Sequence, residues 1–391
     1  MSRLPKLVRR LGLVSLLTDA SSEMIYPLLP AFVTSVLGAG PLFLGLVEGA
    51  AEATAALVKI GSGALSDRAR HKKPLVFAGY GLSSLTRPLM ALAATPLQVL
   101  AVRLADRLGK GVRGAPRDAL LAAATAPGER GRAYGFHRAM DNLGAALGPL
   151  LAAGALALGC SLRMVFGLAA IPALLSLLVL VLGVEEDAAA ERTQGAGRGQ
   201  SGLGPGAFRR YLVVLGVFTL GNSSDAFLLL RAQDAGVSLG LIPLLWTFHH
   251  AVKSGAGTWC GALSDRLGRR RVILVGWGIY ALAYLGLAFA TRAAAVWLLF
   301  AGYGLFHALT EGAERALVAD LVSAESRGWA FGLYHAVTGA MLLPASLLTG
   351  ELWQAFGPRV ALATGATFSA LAALGLGVFV GEPKRTAGRA T

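Results

Sequence analysis

Ionisable residues in this sequence lie inside stretches that are otherwise apolar, at spacings that gather them on helix faces. Asp19 and Glu23 are four residues apart, as are Glu48 and Glu52, so each pair shares one face. Lys59 lies two turns beyond Glu52. Arg103, Arg107 and Lys110 form a basic stripe with Asp106 beside it, and Arg113, Arg117 and Asp118 continue it. Arg138 and Asp141 are three apart. Asp225 stands alone in its block, His249, His250 and Lys253 cluster, and His307, Glu311, Glu314 and Arg315 close the set. Neighbouring carboxylates repel one another, which favours exchange of a proton. An arginine can grip a carboxylate bidentately, which makes Arg103 and Arg107 better anion sites than Lys110. On these grounds Asp19, Glu23, Glu52, Arg103, Arg107, Asp225, His250 and Glu311 are the candidate substrate- or proton-binding residues. Arg103 and Arg107 either bind an anionic group or balance Asp19 and Glu23.

The plainer reading is local pairing: Asp106 with Lys110, Arg138 with Asp141, Glu311 with Arg315. Glu48 and Glu52 either line a path or lie near a surface, since their helix begins around Pro41. His249 and His250 suit a proton relay, but adjacent residues face different ways on a helix and do not easily share one metal ion. His137 and His335 read as solvated. Trp246, Trp277, Trp297 and Trp353 have packing or interfacial explanations, and Trp246 with Phe248 could also meet an apolar ligand. Cys160 and Cys260, the only cysteines, suggest neither a disulfide framework nor a metal site. There is no phosphate-binding G-x-x-x-x-G-K-[ST] and no nucleophile–base set, so neither a cofactor nor an enzyme activity is expected.

The elements that must carry these residues follow from composition. The chain has 391 residues, 55% hydrophobic and 15% charged, where a soluble domain carries about 25% charged. Mean hydropathy is +0.60. Apolar runs at 165–184, 272–291 and 361–380 have no charge, and crossing a bilayer takes about 20 such residues. The run 75–97 is interrupted only by Arg87, and 212–230 only by Asp225. A charge at the centre of such a span costs about 2.5–3.5 kcal/mol, so each one needs a partner or a purpose. Charges and Gly/Pro breaks predict about twelve transmembrane helices in an all-α membrane protein. The first six spans lie near 10–37, 42–65, 74–95, 97–124, 132–158 and 162–184. The second six lie near 210–233, 240–264, 272–291, 295–320, 329–353 and 359–381. This predicts six-helix bundles over 1–184 and 210–391, with a Gly-, Ala- and charge-rich cytoplasmic linker over 185–209. Spans 6, 9 and 12 carry no charge in their middles, and span 3 only Arg87.

The halves repeat. Gly63-Ala-Leu-Ser-Asp67-Arg68 recurs 198 residues later as Gly261-Ala-Leu-Ser-Asp265-Arg266. Gly131-Arg-Ala-Tyr-Gly135 recurs 197 later as Gly328-Trp-Ala-Phe-Gly332, and Ser21-Ser22-Glu23 recurs 202 later as Ser223-Ser224-Asp225. The net charge of +14 is spread over short loops between apolar blocks, which points away from nucleic acid and toward membrane topology. The basic loops near 66–73, 125–132, 185–210, 265–271 and 321–328 fall on the side of both termini, which places the termini in the cytoplasm. The start, 1–10, is basic, and the block after it holds Asp19 and Glu23, so it reads as a retained helix rather than a removed signal peptide.

Two parallel six-helix halves resemble the major facilitator superfamily. The loop signature G-x-L-x-D-R-x-G-R-[RK] of that family is matched in full from Gly261 to Arg270. The first copy keeps Gly63, Leu65, Asp67 and Arg68 but departs at Arg70 and His71. By this resemblance Gly63, Asp67, Arg68, Gly261, Asp265, Arg266 and Arg270 are gating-loop residues. Arg107-Leu-Gly-Lys110-Gly111 is similar to the family's R-x-x-Q-G motif, with lysine for glutamine. Gly135, Gly144, Gly148 and Pro149 match the helix-5 motif of its antiporters, a motif that also permits close helix packing. The resemblance implies alternating access, with helices 1, 4, 7 and 10 lining the path. It also implies proton-antiport efflux of a small organic molecule across a bacterial-type inner membrane, by a monomer. The alternative is uptake or exchange of an organic anion through the cations of span 4.

Overall fold

A computed structural model describes residues 4–69, 71–126, 130–183, 206–323 and 326–381. Among the described residues there are helices and no strand, as a backbone inside a bilayer requires when it must satisfy its own polar groups. The helices are α1 (Lys6–Ile25), α2 (Pro41–Arg68), α3 (Lys73–Thr86), α4 (Pro96–Ala123), α5 (Arg130–Ala157), α6 (Leu162–Leu168) and α7 (Ala170–Gly183). After them come α8 (Gly206–Gly221), α9 (Ala226–Asp234), α10 (Ile242–Leu267), α11 (Arg269–Phe289), α12 (Ala293–Asp320), α13 (Arg327–Phe356) and α14 (Pro358–Phe379). Expected spans 1 to 5 correspond to α1 to α5, span 6 to α6 with α7, and span 7 to α8 with α9. Spans 8 to 12 correspond to α10 to α14. Helix α8 begins at Gly206, four residues inside the stretch expected as linker, and 185–205 lie outside the described residues.

Among the described residues, eight helical stretches are long and apolar enough to cross a membrane: Pro41–Ser66, Arg132–Ala157, Leu162–Gly183, Gly206–Asp234, Arg269–Phe289, Ala293–Asp320, Trp329–Phe356 and Pro358–Phe379. Helices α1, α3, α4 and α10 fall outside that set. Helix α4 does so because of its charges, and α3 gives way after 14 residues to a 3₁₀ segment over Arg87–Leu92.

Local sequence sets the helix ends. Proline leads α2 and α4, where the missing N–H is no loss. Thr95 and Gln98 form a reciprocal capping box on α4. Gly268, at φ 97°, turns the chain between α10 and α11 in a conformation that a side chain would oppose. The equivalent residue of the first copy is Arg70, which lies outside the described residues. There α2 ends instead on Ala69 in an extended conformation. Two arginines satisfy carbonyls at helix ends. Arg163 donates to the carbonyls of Ala91 and Ala93 at 2.8 and 2.7 Å, and Arg231 to those of Leu287 and Ala290 at 2.8 and 2.6 Å.

Helix α1 packs on α5 and α7, α2 on α4, and α3 on α4; α12 packs on α10 and α11, and α14 on α8 and α11. Two seams join the first set to the second, α2 with α13 and α5 with α10. The α2–α13 seam is built on small residues. A Cβ at Gly45 would lie 2.3 Å from the Ser346 carbonyl oxygen, one at Gly49 3.0 Å from Leu343, and one at Gly350 2.8 Å from Leu42. The seam reaches Ala56 and Gly339. Beyond it Gly61, Gly257 and Gly332 meet nothing within 4 Å, and the helices part toward the end that carries the two repeated loops.

Candidate functional site

Helices α2, α3 and α4 place their charges against one another. Arg103 donates through Nε and Nη2 to Oε1 of Glu48, at 3.0 and 2.6 Å, with both side chains at most 5% exposed. Arg107 pairs with Glu52 at 3.0 Å. Arg87 donates through Nε to Asp106 at 2.9 Å and through Nη1 to the Thr18 carbonyl at 2.7 Å. Arg113 donates to Ser83 at 2.7 Å. These pairs correct two expectations. Asp106 is held by Arg87 rather than Lys110, because the 3₁₀ segment after α3 brings a guanidinium inside the protein while Lys110 is exposed. Arg103 and Arg107 have their own carboxylates, so they do not serve as direct counter-ions of Asp19 and Glu23. Glu48, 1% exposed, is a buried partner and not a surface group. A buried charge keeps its ionised form only when a partner replaces the lost water, and each of these has one.

Lys110 is exposed and makes neither ion pair nor hydrogen bond with the described residues. It stands within electrostatic reach of Asp19, Glu23 and Glu52.

A second group of acids has no arginine. Half-buried Glu23 accepts a hydrogen bond from Trp246 Nε1 at 2.8 Å, across the gap from α1 to α10. Asp225 sits where α8 breaks before α9 and accepts from the Tyr303 hydroxyl of α12. Ser224 beside it reaches the second oxygen of Glu48 at 3.5 Å. Asp19 has no hydrogen bond or ion pair with described residues. Around Trp246 the rings pack tightly. His249 stacks on it at 5.0 Å and on Tyr303 at 5.1 Å, His250 meets it edge-on at 4.9 Å, and His307 lies 5.5 Å from His249. His249 Nδ1 and His250 Nε2 are buried without partners. No cluster among the described residues could hold a metal ion.

Glu311 lies where three cations meet: Arg138 of α5 at 2.7 Å, Lys253 of α10 at 3.1 Å and Arg315 at 3.3 Å. Arg138 therefore reaches across to α12 instead of pairing with Asp141. Asp141 is held by Ser15 and by His137, the latter at 3.4 Å. His137 is 4% exposed and not solvated, since α5 turns it inward toward α1.

The repeated loops differ. Arg269 pairs with Asp265 and lies 3.6 Å from Asp320, while Arg270 donates to carbonyls at the end of α14, Leu376 and Gly377. Arg266 and Arg68 are exposed. Gly63 and Gly261 have no crowding neighbour, and the side chain of Asp67 lies outside those described. In α5, Gly144 and Gly148 press on α1, where a Cβ would lie 2.3 Å from the Leu16 carbonyl oxygen and 2.4 Å from that of Ala20. Pro149 is buried beside them, and Gly135 meets nothing within 4 Å.

Of the expected site residues, Glu23, Asp225 and His250 converge on Trp246 and Tyr303. Arg103, Arg107 and Glu52 belong to the paired lattice, and Glu311 to the cation cluster. Sequence reasoning missed Trp246 and Tyr303 as hydrogen-bond donors. The repeat offered a signal for Trp246, which stands 198 residues after Glu48 at the spacing that relates the two loop motifs.

The sequence profile of the Major Facilitator Superfamily matches residues 11–248 and 226–391. The uncharacterized MFS-type transporter MJ1317 of Methanocaldococcus jannaschii is 35% identical over 358 residues, covering 90% of this chain and 89% of that one. A multidrug resistance protein, MdtH of Edwardsiella ictaluri, is 31% identical over 134 residues, about a third of each chain. Among solved structures, a variant of the nucleoside transporter NupG superposes with a TM-score of 0.81 at 14% identity, covering 96% of this chain and all of that one. A bacterial homolog of the human lysosomal transporter Spinster, inward-facing and occupied, gives 0.76 at 16% identity, covering 96% and 97%. At such identities the likeness is one of fold. With the profile spanning both halves, this chain belongs to the major facilitator superfamily, a family of multi-pass membrane transporters and not of enzymes.

Proposed function

We propose that this protein exports a small organic molecule in exchange for protons, by alternating access between two six-helix bundles. The bundles are 1–184 and 210–391, joined by a cytoplasmic linker. The positive excess in the loops near 66–73, 125–132, 185–210, 265–271 and 321–328 supports cytoplasmic termini in a bacterial-type plasma membrane, with the end where the helices part facing inward. One observation carries the reading. Glu23 and Asp225, repeat mates on α1 and before α9, meet the gap between the halves with neutral donors, Trp246 and Tyr303, instead of cations. An acid so placed can gain and lose a proton without breaking an ion pair, and its charge then changes the relative energies of the two states. The partial likeness to MdtH supports efflux of an organic compound. The anion-uptake alternative needs free cations on α4, where the Glu48 and Glu52 pairs occupy Arg103 and Arg107 and Arg113 is buried on Ser83, which leaves it the exposed Lys110.

The test is proton flux in proteoliposomes with an imposed pH gradient while candidate organic substrates are added. Substrate-dependent proton movement opposite to the substrate is expected, and its loss in Glu23→Gln and Asp225→Asn. Substrate flux without proton movement, or with movement in the same direction, overturns antiport.

A further inference from the structure

A third acid is held without a cation, away from the gap. Glu314 of α12 is 8% exposed. One carboxylate oxygen accepts from Trp277 Nε1 of α11 at 3.0 Å and the other from the Tyr334 hydroxyl of α13 at 3.0 Å. Trp277 is fully buried and stacked on Phe218 at 4.5 Å, which fixes the first donor. Tyr211 of α8 lies within electrostatic reach of the same carboxyl, and its phenolic oxygen is buried with no hydrogen-bond partner among the described residues. The charged groups nearby lie on the same helix and are engaged elsewhere. Arg315 pairs with Glu311 at 3.3 Å, and Glu311 also takes Arg138 and Lys253. Among the described residues no cation lies within ion-pair distance of Glu314.

The two donors need only acceptor oxygens, and a neutral glutamine would offer one. What the acid adds is an exchangeable proton, kept in a span where an unpaired carboxylate is costly. Tyr334 is half-buried and is followed by exposed His335, on the stretch of α13 between Gly339 of the seam and the loop at its start.

We propose that Glu314 is a second proton-binding site, loaded from the open end through the Tyr334 hydroxyl. The Tyr334 O–H gives its proton to the Glu314 carboxylate and takes one from hydronium on its other side, leaving a neutral acid, a neutral phenol and water. The new O–H can donate to an oxygen, and Tyr211 holds one without a partner. Protonation weakens the charge-assisted bond from Tyr334. Tyr334 belongs to α13, the helix that forms the glycine-lined seam with α2, so the proton acts on a helix that joins the halves. A role in coupling rests on the antiport reading; the site itself does not.

Infrared difference spectra of the full chain in lipid, taken between acid and alkaline pH, test the site. The protonated-carboxyl C=O band should lose a component in Glu314→Gln that persists in Glu23→Gln and Asp225→Asn. In Tyr334→Phe, which keeps the acid, that component should shift in frequency because one hydrogen bond is gone. A spectrum unchanged in both Glu314→Gln and Tyr334→Phe overturns the site. In proteoliposomes, Glu314→Gln should keep substrate counterflow within about twofold while protons moved per substrate fall. If wild type moves no protons, antiport fails, and the infrared component still decides Glu314. If wild type moves protons and Glu314→Gln matches it, the coupling role is overturned.

Discussion

The two halves share a repeated sequence and differ in how they treat charge. Helices α4 and α12 are both 28 residues long and stand 197 residues apart. At that offset Arg103 becomes Phe300, Asp106 becomes Tyr303, Arg107 becomes Gly304 and Lys110 becomes His307. Along α2 and α10 the offset of 198 turns Glu48 into Trp246 and Glu52 into His250. At all of these positions but Gly304, an aromatic or imidazole ring thus stands where the first half has a charge. Arginine pairs hold their carboxylates charged and rigid. Rings that donate one hydrogen bond leave an acid free to change its charge. On our reading, the first half is the fixed wall and the second supplies the donors around the acids that switch.

The largest expected effect tests the fixed wall. Arg103→Ala leaves Glu48, 1% exposed, as an uncompensated buried charge, and should lower stability by about 3–5 kcal/mol in a thermal or denaturant melt in detergent. Replacing both partners, Arg103→Met with Glu48→Gln, should recover most of that loss. A single variant as stable as wild type would break the comparison.

Next in size is the α1–α5 contact, where the halves also differ. Gly144 and Gly148 correspond to Met341 and Ala345 in α13. Gly148→Ala should cost about 1–3 kcal/mol, because the new Cβ would meet the Ala20 carbonyl and Glu23, and backbone cannot yield as a side chain can. A melt indistinguishable from wild type would mean that α1 and α5 are free to separate. The switching acids come below this. Asp225→Asn and Glu23→Gln keep an oxygen for Tyr303 and Trp246, so each should shift stability by about 1 kcal/mol or less while abolishing proton-driven transport. A large loss of stability in either would assign that acid to the fixed wall.

How much of this was legible in sequence divides along the same line. The helices, the repeat and the basic loops follow from apolar runs and recurring islands, which need no knowledge of the third dimension. Partner choice does. Spacing of three or four residues suggested Asp106 with Lys110 and Arg138 with Asp141, because neighbours on a helix face are all that spacing can show. The protein pairs Arg87 with Asp106, Arg103 with Glu48 and Arg138 with Glu311, which are 19, 55 and 173 residues apart. Which faces of α4 meet α2 and α3 depends on the packing of Gly111 against Val58 and of Gly79 against Arg113, and no local pattern encodes it. Glu314 read as one more member of a charged stripe, since its donors arrive from α11 and α13.

The smallest effect lies where the halves agree. Gly135 and Gly332 are repeat mates in α5 and α13, and at both a Cβ would meet nothing within 4 Å. Neither has a positive φ, so alanine fits each helix without strain. Alanine lowers the conformational entropy of the unfolded chain, so Gly135→Ala and Gly332→Ala should each be neutral or stabilise by up to about 1 kcal/mol. Transport should be retained if the first glycine of the helix-5 motif serves only backbone fit at this stage of the cycle. Lost transport with an unchanged melt would mean that Gly135 is needed in a state where the open end has closed. The same result at Gly332 would make that closure symmetric, whereas loss at Gly135 alone would extend the difference between the halves from their charges to their motion.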